Sequence, residues 1–246
     1  MVVCQKKEAR LSALEKLASI YGDQWVWIGF DPRCKVVINF VVGRHNQQNA
    51  NKLVVGIRQR SDGHIPLFTS DQLEHYDAAL LCAYGIRKEF PRTGKPGRPR
   101  NPILTAPKNL LYAQVVKRRK KGRVVDITTK VVFGTETQVE RQLKQSPVSN
   151  AINTSFVERN NLTMRHQNRR LVRRTPAFSK KRERLELQLH LSFVYYHLIK
   201  PHLGLRKKVR SKKRKYENRT PMMAAGVTDH IWAMPELFNK AIFEMF

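Results

Sequence analysis

The apolar positions follow either a strand-like or a helix-like period, and the switches between them divide the chain into elements. Trp25-Val-Trp-Ile-Gly-Phe-Asp31 and Lys35-Val-Val-Ile-Asn-Phe-Val-Val-Gly43 are runs rich in β-branched and aromatic residues. Asp-Pro-Arg-Cys joins them, so the pair predicts a hairpin of buried strands. Upstream, Leu11, Leu14, Leu17 and Ile20 keep helical spacing within the polar stretch 5–22, which predicts a short helix or an ordered loop. Ala50, Leu53, Val54 and Ile57 keep that spacing over 46–60, and Ser61-Asp-Gly63 ends the helix. A strand reaching Thr69 comes next, followed by a helix through Tyr84-Gly85 that Ser70 or Asp71 would cap. Strand, strand, helix, strand, helix is an α/β order and predicts a mixed sheet.

The pattern breaks over 91–109. Pro91-Arg-Thr-Gly-Lys-Pro-Gly-Arg-Pro-Arg-Asn-Pro102 is an extended basic loop, excluded from helix and central strand by its prolines. It approaches a minor-groove hook, except that Pro96 stands where the first arginine belongs. The alternative is a flexible loop that touches phosphates. Leu111 to Val116 and Val124 to Phe133 are strand-like and flank Lys117-Arg-Arg-Lys-Lys-Gly-Arg123, a hairpin with a basic tip. From Thr135 the periodicity is helical: Thr135–Gln145, then a long basic helix Phe156–Thr175 that Pro176 is placed to end or kink, then Lys181–Lys200. Leu185, Leu189, Phe193 and Tyr196 give the last of these a core stripe. Residues 206–219 read as a solvated basic linker, and Thr220-Pro-Met-Met-Ala-Ala-Gly226 opens a short final helix. Trp232, Leu237 and Phe238 are expected to dock on the core. The organisation expected is 1–90 and 135–203 as core, 91–134 as an inserted loop and hairpin, and 204–246 as linker and C-terminal helices.

Composition changes this picture in one respect. A hydrophobic content of 41% and a charged content of 27% over 246 residues are globular values. Yet 47 Lys+Arg stand against 19 Asp+Glu, a formal charge of +28. Such a surface binds polyanions by counterion release, and nucleic acid is the polyanion expected. The basic residues are spread along the chain rather than on one amphipathic stripe, which argues against a membrane surface. No apolar run approaches the ~20 residues needed to span a bilayer. Cys4, Cys34 and Cys82 form no Cys-x-x-Cys pair, so neither a zinc site nor a disulfide framework is indicated. A reducing cytosolic setting is the expectation.

In so basic a chain, isolated acids stand out. Glu158 sits in Asn153-Thr-Ser-Phe-Val-Glu-Arg-Asn-Asn161, ahead of Arg165, Arg169, Arg170, Arg173 and Arg174. Asp71 ends the apolar stretch Ile65-Pro-Leu-Phe-Thr-Ser-Asp71. One acid at a strand end and one on a basic helix are what a divalent-metal phosphoryl-transfer site requires. The same two acids also fit plain salt-bridge partners among many arginines.

Longer motifs favour the first reading. Asp23-Gln-Trp-Val-Trp-Ile-Gly-Phe-Asp31, Phe40-Val-Val-Gly-Arg44, Phe68-Thr-Ser-Asp71, Tyr112-Ala-Gln-Val-Val-Lys117, Val132-Phe-Gly134, Ile152-Asn-Thr-Ser-Phe-Val-Glu-Arg-Asn-Asn161, Asn168-Arg-Arg-Leu-Val-Arg173 and Arg219-Thr-Pro-Met-Met-Ala-Ala-Gly226 resemble the catalytic domain of insertion-sequence-one-type transposases. The resemblance implies an RNase H-like core and the Mg²⁺-dependent two-metal chemistry of the Asp-Asp-Glu transposases. Asp71 matches the second carboxylate, Glu158 the glutamate, and Arg165 the basic residue of the last motif. The first carboxylate of the family matches a position upstream of Met1, so the chain alone is expected to be inactive. Asp31 is the local substitute, with capping of the Asp-Pro turn as its other role. Gln72 replaces a usual glycine, His166-Gln167 is transposed, and Pro176 replaces an apolar residue.

The implied function is DNA transposition by Mg²⁺-dependent strand cleavage and transfer. The implied partner is double-stranded DNA, as transposon ends and target, bound by a homo-oligomer. Arg98, Arg100, Lys117, Arg118, Arg119, Arg159, Asn160, Asn161, Arg169 and Arg170 are the expected DNA contacts. The alternatives are a non-catalytic DNA-binding remnant and a basic RNA-binding protein.

Overall fold

The alternation along Trp25-Val-Trp-Ile-Gly-Phe-Asp31 does produce a strand, and it is the centre of a three-stranded sheet. A computed structural model of the chain describes residues 2–4, 12–14, 23–90, 100–172, 176–209 and 215–243. In it, β1 (Val2–Cys4) and β3 (Val36–Gly43) flank β2 (Asp23–Asp31). β1 runs antiparallel to β2, with Val2 opposite Trp25 and Cys4 opposite Asp23. The β2–β3 turn closes on Asp31, whose Oδ1 accepts the Arg33 N–H at 2.8 Å. That bond gives Asp31 the turn-capping role.

Helix α1 (Gln47–Gln59) begins where Asn46 accepts the Asn49 N–H, and buries Ala50, Leu53, Val54 and Ile57, the positions its periodicity marks. It packs on α2 (His75–Tyr84), which buries Ala79, Leu80, Ala83 and Tyr84. The Arg58 guanidinium at the end of α1 donates to the Ala83 carbonyl, satisfying the C-terminal end of α2 with a cation. Neither Ser70 nor Asp71 caps α2. The Leu73 N–H bonds the Asp71 carbonyl in a tight turn first, and the helix starts after Glu74.

β4 (Phe68–Asp71) is shorter than expected and lies in a different sheet from β2 and β3. It pairs in parallel with β7 (Tyr112–Lys120), Phe68 opposite Tyr112 and Asp71 opposite Val115. Side chains fix that choice. Ser70 Oγ and the Tyr112 hydroxyl are 2.7 Å apart, and Gln114 Nε2 donates to Tyr112 and to Asp77 Oδ1, both at 3.0 Å. Strand, helix and strand are thereby tied into one βαβ unit.

Between α2 and β7, β5 (Ile86–Lys88) pairs antiparallel with β6 (Ile103–Thr105). This short ribbon brackets the basic loop, most of which lies outside the described residues. β8 (Arg123–Phe133) completes the second sheet in the order β4-β7-β8. The basic segment is therefore mostly strand: only Lys121 and Gly122, at φ 48° and 79°, turn the chain.

Helix α3 (Glu136–Gln145) starts in a capping box between Thr135 and Gln138. Helix α4 (Ser155–Gln167) carries Glu158 and stops earlier than Pro176 would require. Asn168 takes extended backbone there and its side chain accepts the Arg170 N–H, starting a separate turn at Arg169–Leu171. In α5 (Arg182–Val194), which ends in a wider turn at Tyr195–Ile199, Leu185, Leu189, Phe193 and Tyr196 are buried, as their stripe predicts. β9 (Lys207–Lys208) and β10 (Tyr216–Glu217) pair within the basic linker, and α6 (Pro221–Ala224) follows its Thr220 cap. The Trp232 N–H bonds the Leu198 carbonyl, whereas Phe238, on α7 (Met234–Phe243), is 54% exposed and does not dock.

The protein is thus mixed α/β with small sheets, one of them mixed. Its chain divides into two compact units, one of residues 1–26, 30–38 and 161–246, the other of 27–29 and 39–160. No helix among the described residues is long and apolar enough to cross a membrane.

Candidate functional site

Asp71 and Glu158 both belong to the unit built around the β4-β7-β8 sheet. Parallel register puts Asp71 opposite Val115, so the two side chains share a sheet face, and alternation returns Lys117 to that face. At ~3.3 Å per residue and ~4.8 Å between strands, the Asp71 and Lys117 Cα atoms are roughly 8 Å apart. Lys117 Nζ then donates to Glu158 Oε1 at 2.6 Å. Glu158 is therefore tethered, through one lysine, to the strand beside Asp71.

Thr154, one helical turn before Glu158, is buried and donates its hydroxyl to Glu158 Oε1 at 2.9 Å. Lys117 Nζ also lies 3.4 Å from that hydroxyl. Hydrogen bonding from Lys117 is the main reason the Glu158 carboxyl is held below its ordinary titration range. Reading single residues gave Lys117 only a role in phosphate binding. Its pairing with Glu158 spans 41 positions and leaves no local signal. Thr154 had one, the i, i+4 spacing to Glu158.

Around Asp71 no local pattern announces the neighbours. Trp27 stacks on His45 with ring centroids 5.1 Å apart, and His45 and His75 are 5.4 Å apart. Tyr76 meets Trp27 edge-on. Desolvation, then the neighbouring His75, lowers the His45 pKa, and Asp71 acts in the opposite direction. Burial, with a smaller contribution from the Asp71 charge, raises Tyr76 and Tyr112. Asp71 thus borders an aromatic and imidazole-lined patch. Among the described residues, no group of three or more His, Cys, Asp or Glu side chains is placed to hold a metal ion.

The expected DNA contacts are dispersed. Arg118, Arg119 and Arg159 are exposed. Arg100 lies over the Phe90 ring at 4.2 Å, at the foot of the basic loop, and Arg98 lies outside the described residues. Arg165 is half-buried on α4. Arg169 is exposed, and Arg170 donates to Ser179 at 3.0 Å beside a shallow pocket that both arginines line. Asn160 is 4% exposed, its amide has no hydrogen-bond partner among the described residues, and it is not on the surface a phosphate would meet. Asn161 is half-buried.

Comparison with protein-family models, curated proteins and solved structures finds no match to this chain. The site's own chemistry must carry the functional reading.

Proposed function

We propose that this chain binds duplex DNA and is the catalytic part of a transposase, with the sheet face that carries Asp71, Lys117 and Glu158 as its phosphodiester site. Two carboxylates by themselves are too few for two-metal cleavage, so the chain alone is expected to bind DNA and cleave little. The observation behind this reading is the Lys117–Glu158 contact beside the end of a parallel strand that carries Asp71. A three-stranded β1-β2-β3 sheet with β1 and β2 antiparallel, a helix, then a parallel β4-α2-β7 unit is also the element order of an RNase H-like core. Motif resemblance to insertion-sequence-one-type transposases points the same way.

Asp71 and Glu158 supply hard carboxylate oxygens, the donor class that Mg²⁺ takes, and would be its ligands here. Bound there, the ion would polarise the phosphate and lower the pKa of an attacking hydroxyl or water. Lys117 neutralises Glu158 in the absence of a cation and can donate to a phosphate oxygen in its presence. Thr154 fixes the Glu158 rotamer. The exposed Arg118 and Arg119 lie next along the same strand, where the DNA backbone would run.

The test pairs metal binding with DNA chemistry. Mn²⁺ should broaden the NMR resonances of Asp71 and Glu158, and Asp71→Asn with Glu158→Gln should abolish that broadening while duplex binding persists. Broadening confined to other residues would remove the metal-site assignment. Preference for RNA over duplex DNA would instead favour a basic RNA-binding protein.

A further inference from the structure

β8 is the edge strand of its sheet among the described residues, and it is unusually bare. Residues 123–130 are all exposed, with Val124 at 45%, Val125 at 61% and Ile127 at 60%. A long edge strand with exposed β-branched residues is a template for another strand unless something blunts it. The bulges in its pairing with β7 leave Val125 and Val132 as extra residues, and Asp126 to Val131 between them stay in continuous register.

That stretch is complementary to itself. Val124-Val-Asp-Ile-Thr-Thr-Lys-Val-Val132, read antiparallel against a second copy about Thr128, sets Asp126 opposite Lys130 twice over. Ile127 then faces Thr129, Thr128 faces its own equivalent, and valines meet valines at both ends. Moving the centre by one residue either way puts Asp126 against Val132 or Thr128 and leaves Lys130 without an acid. Opposite-charge and β-branched cross-strand pairs stabilise an antiparallel ladder, and a self-complementary patch is what a two-fold interface requires. The segment 124–132 also carries no net charge in a chain of +28, so it is a place where two copies can meet without direct repulsion.

We infer that two copies of this chain associate by antiparallel pairing of their β8 strands, in the register that places Asp126 of one copy opposite Lys130 of the other. The partner is a second copy and not a foreign peptide, because the charge pattern is satisfied by its own reverse. Pairing residues of equal parity requires the two-fold axis to stand perpendicular to the sheet. The strand order becomes β4-β7-β8-β8-β7-β4. The faces bearing Asp71 and Lys117 fall on the same side of this six-stranded sheet, with the two Asp71 positions on the order of 25 Å apart. The inference rests on β8 alone and is independent of the proposed chemistry.

Sedimentation equilibrium of the nuclease-treated chain should show a dimer. Asp126→Lys and Lys130→Asp should each weaken it at least about tenfold, since two attractive pairs become repulsive, and the double exchange should restore it. In a Cys82→Ser background, Thr128→Cys should form a disulfide-linked dimer on oxidation, and Thr129→Cys much less of one. Circular dichroism separates loss of pairing from loss of fold. If a charge variant unfolds, the Thr128→Cys cross-link decides. A monomer across the concentration range, a double exchange that fails to restore the dimer, or equal cross-linking at 128 and 129 would each overturn the inference.

Discussion

The Lys117 ammonium donates to Glu158 Oε1 at 2.6 Å, joining strand β7 to helix α4 across 41 residues of sequence. With the Glu158 side chain 57% exposed, the pair is screened by water and contributes at most about 1 kcal/mol to stability. Its consequence is electrostatic. Lys117→Ala should raise the Glu158 pKa toward the ordinary glutamate value, which a carboxyl-carbon NMR titration reads directly. Because the folded pKa is the depressed one, the small stabilisation is present above the unfolded glutamate range and fades as pH falls through the folded value. An unmoved titration in Lys117→Ala would assign the shift to Thr154 instead.

The exposed run Arg118, Arg119, Lys120, Lys121 and Arg123 sets a second expectation. Each phosphate these residues neutralise adds roughly 0.9 to the slope of log affinity against log salt. Replacing all five by glutamine should lower the slope by several units on duplex DNA of any sequence. Fluorescence anisotropy across a salt series measures it, and an unchanged slope would place the DNA surface elsewhere.

What could be read from the sequence is what the chain decides locally. Ala50, Leu53, Val54 and Ile57 face the core because their spacing leaves a helix no other way to bury them. The β7–β8 hairpin is equally local, although its strands extend through the basic residues almost to the turn, since long charged side chains sit comfortably on an exposed ribbon. Partner choice was not legible. The element order predicts one mixed sheet for β2, β3 and β4, yet the partner of β4 is settled by Tyr112 and Gln114, more than forty positions away from Ser70 in the first case. The early end of α4 follows from one asparagine, Asn168, whose side chain outcompetes helix continuation. At the candidate site, the sequence marked both acids and Lys117, but not the bond between Lys117 and Glu158.

His197 gives the fold a pH dependence. Its Nε2 accepts the Val37 N–H at 2.9 Å, and burial pushes its pKa down to about 4. Charging it would cost both that bond and the desolvation of an imidazolium. Between the unfolded value of 6.5 and the folded value, the unfolded chain binds the extra proton. Stability should therefore be full above pH 6.5 and fall by up to about 3 kcal/mol as pH drops toward 4. Urea unfolding of the wild type and of His197→Gln, which keeps an acceptor for Val37 and cannot titrate, should diverge in that window. Parallel curves would mean the His197 proton is not linked to folding.

Two glycines at the ends of β8 separate backbone conformation from packing. Gly122, at φ 79°, turns the hairpin in open space, and a Cβ there meets no atom within 4 Å. Gly134, at φ 87°, follows Phe133 directly, and a Cβ there would run into Leu111 Cδ2. Gly122→Ala should therefore carry only the left-handed penalty, about 1 kcal/mol. Gly134→Ala carries the same penalty plus displacement of Leu111 beside the fully buried Leu110, for a total of roughly 2–3 kcal/mol. The difference between the two alanine variants, measured by denaturant unfolding, isolates the packing at Leu111. Equal losses would mean that Leu111 swings aside freely, and that the junction between β8 and α3 is looser than its capping box implies.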